Sequence, residues 1–184
     1  MVYHSGNELV DPYVLFQKAH LSPRMHIADF GCGKTGHIVF PAAVQIGDHG
    51  IVYAVDILKD VLELVQKRAK SDNLLNIHTV WADIERGDNI AIPKNSLDIA
   101  FLVNVLMHMH EREQVLQGVL QFLKPKGRCV IVDWAKKGLP FCPQDGQFVD
   151  FEAIARWARG QGIAVQETFP MGRYHRGLVL YKHE

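Results

Sequence analysis

The chain has 184 residues, 20 Lys plus Arg against 20 Asp plus Glu, 48% hydrophobic and 22% charged content, and three cysteines. These proportions predict one globular domain that buries a core without staples, and they exclude intrinsic disorder and a disulfide scaffold. A formal net charge of zero excludes a general nucleic-acid binder, and no apolar stretch approaches the roughly 18 residues that a membrane span requires.

Apolar spacing alternates between strand-like and helix-like segments, the pattern of an α/β domain with a mostly parallel sheet. Asp11 and Pro12 supply an N-cap followed by a first-turn proline, which predicts a short helix through Val14, Leu15 and Phe16 to about His20. Residues 1–24 thus read as an N-terminal lid segment and helix, ahead of a single domain over residues 25–184. A strand is predicted over residues 25–30, a glycine turn over 31–36, and a helix through Ile38, Val39, Ala42 and Val44 to Gly47. A second strand over 51–55 ends at Asp56. A helix over 61–70 precedes a strand over 77–81 that stops before Asp83, and residues 84–96 read as loop.

The next strand, 97–103, leads to Asn104, and an amphipathic helix covers 111–123. Lys124, Pro125, Lys126 and Gly127 read as a turn, because proline blocks the helix and glycine supplies the unusual backbone angle. A strand over 129–133, a long loop over 134–147 and a helix over 151–160 follow. Strands over 163–169 and 174–181 flank a turn at Met171, Gly172 and Arg173. So short a connection makes the last two strands antiparallel. The expected fold is a Rossmann-like, doubly wound, seven-stranded sheet, parallel except for one reversed strand in a C-terminal hairpin.

The segment from Asp29 through Gly31, Gly33 and Gly36 is GxGxxG at a strand-to-helix junction. It also fits a relaxed phosphate loop, with Ala28 in place of the first glycine, then Gly33, Lys34 and Thr35, and with Asp133 as a magnesium-holding acid. Asp29 argues against phosphate. A carboxylate about 5 Å from like charge costs roughly 3 kcal/mol at an effective dielectric near 20, which weakens both the nucleoside triphosphate and the NAD readings. A ligand that brings an ammonium group instead removes the conflict.

Asp29, Gly31 and Gly33, the acids Asp56 and Asp83 at successive strand ends, and the terminal hairpin resemble a class I S-adenosylmethionine-dependent methyltransferase over about residues 25–182. The pattern is closest to the broad group that includes the ubiquinone and menaquinone C-methyltransferases. The resemblance implies S-adenosylmethionine as cofactor. Gly31, Gly33 and Gly36 would admit its methionine part, and Asp29 would receive the ammonium. Asp56 would accept both ribose hydroxyls, Ile57 would pack on adenine, and Asp83 would accept from the exocyclic amine with Ile84 beside it. Asn104 would face the methyl-transfer centre. Each acid also has a structural role open to it, Asp56 as a helix cap and Asp83 as a turn initiator.

Methyl transfer from a sulfonium needs a base only if the acceptor must lose a proton. Leu106, Met107 and His108 resemble a leucine-histidine-histidine run common in the family, with Met107 replacing its first histidine. His108 is therefore the first acceptor-side candidate, since histidines titrate near neutrality. His108, His110 and Glu111 could also be drawn as a metal site, but their side chains diverge and no metal is expected. The turn after the sixth strand opens on the same sheet edge, so Tyr174 and His175 are further catalytic or pocket-lining candidates, beside Arg173 and Arg176. The 134–147 loop, with Tyr3 and His4, would form a lid. With no inserted substrate domain, the acceptor is expected to be small, lipid-like or presented by a partner. A non-catalytic S-adenosylmethionine-binding subunit is the alternative, and a phosphate-loop nucleotidase the next. Cys32, Cys129 and Cys142 form no CxxC pair and the first residues lack signal-peptide character, so a reduced, cytoplasmic protein is expected.

Overall fold

A computed structural model of the chain describes residues 9–87, 90–140 and 142–184. Seven strands are present: β1 His26–Phe30, β2 Ile51–Asp56, β3 Ile77–Trp81, β4 Leu97–Val103, β5 Leu123–Trp134, β6 Ala164–Met171 and β7 His175–Tyr181. Five described helices connect them: α1 Pro12–Ala19, α2 Val39–Ile46, α3 Lys59–Ser71, α4 Arg112–Leu120 and α5 Phe151–Gly160, with a 3-10 turn at Leu106–His108. The strand order is β3-β2-β1-β4-β5-β7-β6. β1 through β5 pair in parallel, and β7 is antiparallel to both β5 and β6. β7 is therefore the one reversed strand.

Local chemistry accounts for the element boundaries. The Asp11 side chain accepts from Tyr13 N–H at 2.9 Å, and Pro12 occupies the first turn of α1, where a missing N–H costs nothing. The turn expected at residues 124–127 is a bulge inside β5 instead. Leu97 pairs with Leu123 and Ile99 with Arg128, so three residues of β4 face six of β5. Lys126 takes φ +68° there, and its N–H donates to Lys182 C=O at 2.7 Å, which keeps the excursion attached to the sheet. α4 accordingly ends at Leu120 rather than 123, because Leu123 already belongs to β5.

Alternation along the strands divides the apolar residues between two cores. Ile27, Phe101 and Val132 face α1, α2 and α3, while Ala28, Leu102 and Ile131 face α4 and α5. α1 contributes Leu15, Phe16 and Ala19 to the first core, so it is part of the domain's packing and not a separate cover. Tyr3 and His4 lie outside the described residues. The carboxyl ends of the parallel strands converge on one edge, where open α/β sheets bind ligands.

The hairpin depends on a close aromatic contact. Gly177 pairs with Phe169, and a Cβ at Gly177 would lie 2.2 Å from the Phe169 ring. Gly177→Ala is expected to destabilise the fold by about 1 to 3 kcal/mol through overpacking, read as a lower denaturation midpoint with an unchanged denaturant slope.

Candidate functional site

At the carboxyl edge, β1 ends in Phe30 and the chain turns through Gly31, Gly33 and Gly36, all with positive φ. The turn folds back on β2. Gly31 and Cys32 donate to Val55 C=O at 2.8 and 3.0 Å, and Gly33 donates to Asp56 Oδ2 at 3.1 Å. The three glycines serve different ends. A Cβ on Gly31 would meet Val105 at 2.5 Å and one on Gly36 would meet the Phe40 ring at 2.5 Å, so these two are packing requirements. A Cβ on Gly33 would enter open space, in a cavity of about 340 Å³.

That cavity is lined by Leu9, Val10, Asp29, Cys32, His37 and Asn104 among others. Asp29 is 2% exposed. Burial, and then the nearby Asp56 carboxylate, raises its pKa to about 7. Its side chain makes no hydrogen bond among the described residues. Asn104, at φ +56°, also presents a buried Oδ1 without a partner. The Asp29 carboxyl and the buried Asn104 Oδ1 on the same cavity wall take no donor from the described residues, so this acceptor pair fits a ligand carrying an ammonium group. Burial, with Asp29 and Asp56 nearby, pushes the Cys32 thiol well above its ordinary range, so that thiol is inert.

Sequence reasoning missed His37. Its Nε2 donates to Val10 C=O at 2.6 Å and pins the N-terminal segment to the cavity wall. Its place one residue past the GxGxxG glycine is the only sequence signal.

Asp56, at the end of β2, supports the turn. Oδ2 accepts from Gly33 and Oδ1 from Leu58 N–H at 3.0 Å, which leaves about two acceptor positions on the carboxylate. Ile57, Leu58 and Trp81 are all more than half exposed beside it, and Trp81 Nε1 donates to Ile57 C=O at 2.8 Å. Asp83 initiates a turn: Oδ1 accepts from Glu85 and Arg86 N–H at 3.0 and 3.3 Å, and Oδ2 lies 3.5 Å from Arg86 Nε. Ile84 is 9% exposed and packs in the second core.

On the acceptor side, His108 is exposed at the end of the 3-10 turn. His110 and Glu111 donate their N–H groups to Glu85, whose carboxyl these bonds hold below its usual range. Among the described residues no group of three or more His, Cys, Asp or Glu is placed to hold a metal. His175 is 3% exposed, its ring centroid 4.4 Å from that of Trp134, and neither ring nitrogen has a partner. Burial lowers its pKa to about 4, so the imidazole is neutral. Tyr174 is half-buried, stays in the turn ahead of β7, and accepts from Ala135 and Lys136 N–H through its carbonyl.

The phosphate-loop reading fails on this geometry. β1 continues in register through Asp29 to Phe30, Lys34 and Thr35 are exposed, and α2 begins only at Val39. Asp133 is fully buried, with Oδ1 on Trp134 N–H and Oδ2 on Met107 N–H.

The sheet order and the glycine turn beside the cavity are those of the α/β folds that bind nucleoside cofactors at the carboxyl edge of the sheet. A domain family described as "Methyltransferase domain" matches residues 21–160, and the chain belongs to that family. Its fold is that of the class I S-adenosylmethionine-dependent methyltransferases. A methyltransferase of this kind from Aquifex aeolicus superposes with a TM-score of 0.85 at 21% identity, covering 97% of this chain and 93% of that one. A ubiquinone/menaquinone biosynthesis C-methyltransferase of Vibrio parahaemolyticus is 25% identical over 115 residues, 62% of this chain and 43% of that protein. An S-adenosyl-L-methionine-dependent Diels-Alderase of Talaromyces variabilis is 33% identical over 108 residues, 58% of this chain and 35% of that protein. The matching segment thus spans less than half of either relative. Among the described residues no helix is long and apolar enough to cross a membrane.

Because the Asp29 pKa is raised in the fold, its contribution to stability is full below the unfolded carboxyl pKa and is lost as pH rises through about 7. The ligand-free chain is expected to lose melting temperature between about pH 4 and 7, and Asp29→Asn is expected to flatten that slope, as measured by thermal melts of both proteins.

Proposed function

We propose that the protein transfers a methyl group from S-adenosylmethionine to a small-molecule or lipid-like acceptor. The observation that carries this reading is the pair of buried acceptors without donors, Asp29 and Asn104 Oδ1, on the cavity beneath Gly33. When bound there, the cofactor supplies an electrophilic methyl group on a sulfonium. A nucleophilic electron pair of the acceptor would displace the sulfur in line, the electrons of the sulfur–carbon bond remaining on sulfur.

In this reading Asp29 and Asn104 hold the ammonium, and the Gly31 and Gly33 backbone admits the methionine part. Gly36 keeps the turn in shape from beneath. The two free acceptor positions on Asp56 take the ribose hydroxyls, and Ile57 contributes to an apolar platform for adenine with Leu58 and Trp81. Asp83, held as a turn initiator, offers its remaining capacity to the exocyclic amine, and Ile84 anchors that turn in the core. His108, being exposed, is the group that can take a proton from an acceptor. His175, neutral and buried against Trp134, suits hydrogen bonding to an uncharged acceptor group better than proton abstraction, and Tyr174 lies beside it. The three unpaired cysteines support a reducing compartment such as the cytoplasm.

Calorimetric titration with S-adenosylmethionine, S-adenosylhomocysteine, magnesium ATP and NAD tests the reading; binding of ATP alone overturns it. Acceptor-dependent release of S-adenosylhomocysteine distinguishes methyl transfer from a subunit that only holds the cofactor. Asp56→Ala is expected to weaken cofactor binding by about 1 to 3 kcal/mol, through loss of charge-assisted hydrogen bonds. The ammonium requires an ionised Asp29, so affinity is expected to fall about tenfold per pH unit below 7 in the wild type and to be lower but flat in Asp29→Asn. His108→Ala is expected to lower turnover while leaving cofactor affinity unchanged, as read by kcat against the calorimetric Kd.

A further inference from the structure

The peptide unit between Leu106 and Met107 is held at both ends by charged side chains. Its carbonyl accepts from Arg112 Nε at 2.9 Å, and its N–H donates to Asp133 Oδ2 at 3.1 Å. The second oxygen of Asp133 accepts from Trp134 N–H at 2.9 Å. The two remaining nitrogens of Arg112 donate to Phe148 C=O at 3.1 Å and to Gln147 C=O at 2.9 Å. Asp133 is fully buried and Arg112 half-buried. Two charges therefore join three pieces of backbone: the turn that follows Asn104, the start of the segment leaving β5, and the end of that segment before α5.

A buried carboxylate is costly unless its lone pairs are engaged. Asp133 meets that condition with main-chain amides, so its placement serves the backbone and not a bound molecule. The guanidinium reaches three separated carbonyls through three different nitrogens, whereas a lysine at position 112 would carry all its donors on one nitrogen at the end of a flexible stem. Asn104 sits two residues ahead of the clamped peptide and lines the cavity, whereas residues 147 and 148 lie beyond the loop on the acceptor side.

We infer that Asp133 and Arg112 are positioning residues that couple the cofactor cavity to the backbone ahead of α5, by gripping the peptide between Asn104 and His108 and tying it to the backbone at 134, 147 and 148. This inference rests on the cofactor reading above. Pairing of Asn104 with a donor fixes the 104–109 backbone, and the clamp carries that order to the acceptor-side segment.

The test is hydrogen–deuterium exchange of the full chain, alone and with S-adenosylhomocysteine, in wild type, Asp133→Asn and Arg112→Lys. Without ligand, each variant is expected to speed exchange over residues 105–110 by about tenfold or more, as loss of one hydrogen bond requires. With S-adenosylhomocysteine, the wild type is expected to gain protection over both 104–110 and 145–149. Arg112→Lys is expected to keep the first and lose the second, with an S-adenosylhomocysteine affinity within about threefold of wild type. A residue needed only for stability would leave that ligand-induced difference in place. Ligand protection of 145–149 that persists in both variants, or that never occurs in the wild type, overturns the coupling. Failure of S-adenosylhomocysteine to bind the wild type overturns the cofactor reading and the coupling with it, while the ligand-free rates still decide whether the clamp holds.

Discussion

Three amides of the turn after β1 are committed to β2, two of them to Val55 C=O and the third to Asp56 Oδ2. This attachment fixes the edge at which everything else meets. It goes with positive φ at Gly31 and Gly33, brings the Asp56 carboxylate near Asp29, and leaves the Asp29 side chain on a cavity beside a turn whose first three amides are already used. A cavity whose wall amides are spent cannot serve as an anion nest. It can serve a cation, and that reversal of polarity separates this turn from the phosphate-binding loops whose glycine spacing it shares.

Much of the architecture was legible because its signals are local. Asp11 and Pro12 start α1 through bonds within three residues, and the two-residue alternation in β1 already separates Ile27 and Asp29 from Ala28 and Phe30. The bulge in β5 was not legible. Lys124 to Gly127 carry ordinary turn chemistry, and only the register with β4 and the bond from Lys126 to Lys182 show that the strand runs on both sides of it. The acids divide in the same way. Asp29 could be argued from charge alone, whereas the turn-supporting bonds of Asp56 and the turn-initiating bonds of Asp83 depend on which amides the fold delivers to them. Arg112 reads in sequence as a solvated helix residue, since its three carbonyl partners lie 6, 35 and 36 positions away.

The two faces of the sheet carry separate tasks. The face covered by α1, α2 and α3 holds Asp29 and the cavity, while the opposite face holds Asp133 and, through Arg112, the backbone that frames the acceptor side. The sheet and the turn from Asn104 to His108 connect them, so that short turn bears a constraint out of proportion to its length. Its first residue, an asparagine, occupies a left-handed backbone angle that asparagine tolerates better than most residues, with its carboxamide left unpaired on the cavity.

The three tryptophans fall at separate positions along this frame. Trp81 is 56% exposed, beneath the Lys59 ammonium and bonded to Ile57 C=O, next to the Asp56 end of the edge. Trp134 is 5% exposed against the His175 ring, at the other end. Trp157 lies in α5, half-buried against the second core. The chain therefore contains its own spectroscopic contrast: a polar-environment indole near Asp56 and an apolar one beside the neutral imidazole. Their emission and quenching can follow the two ends of the edge separately, without an added label.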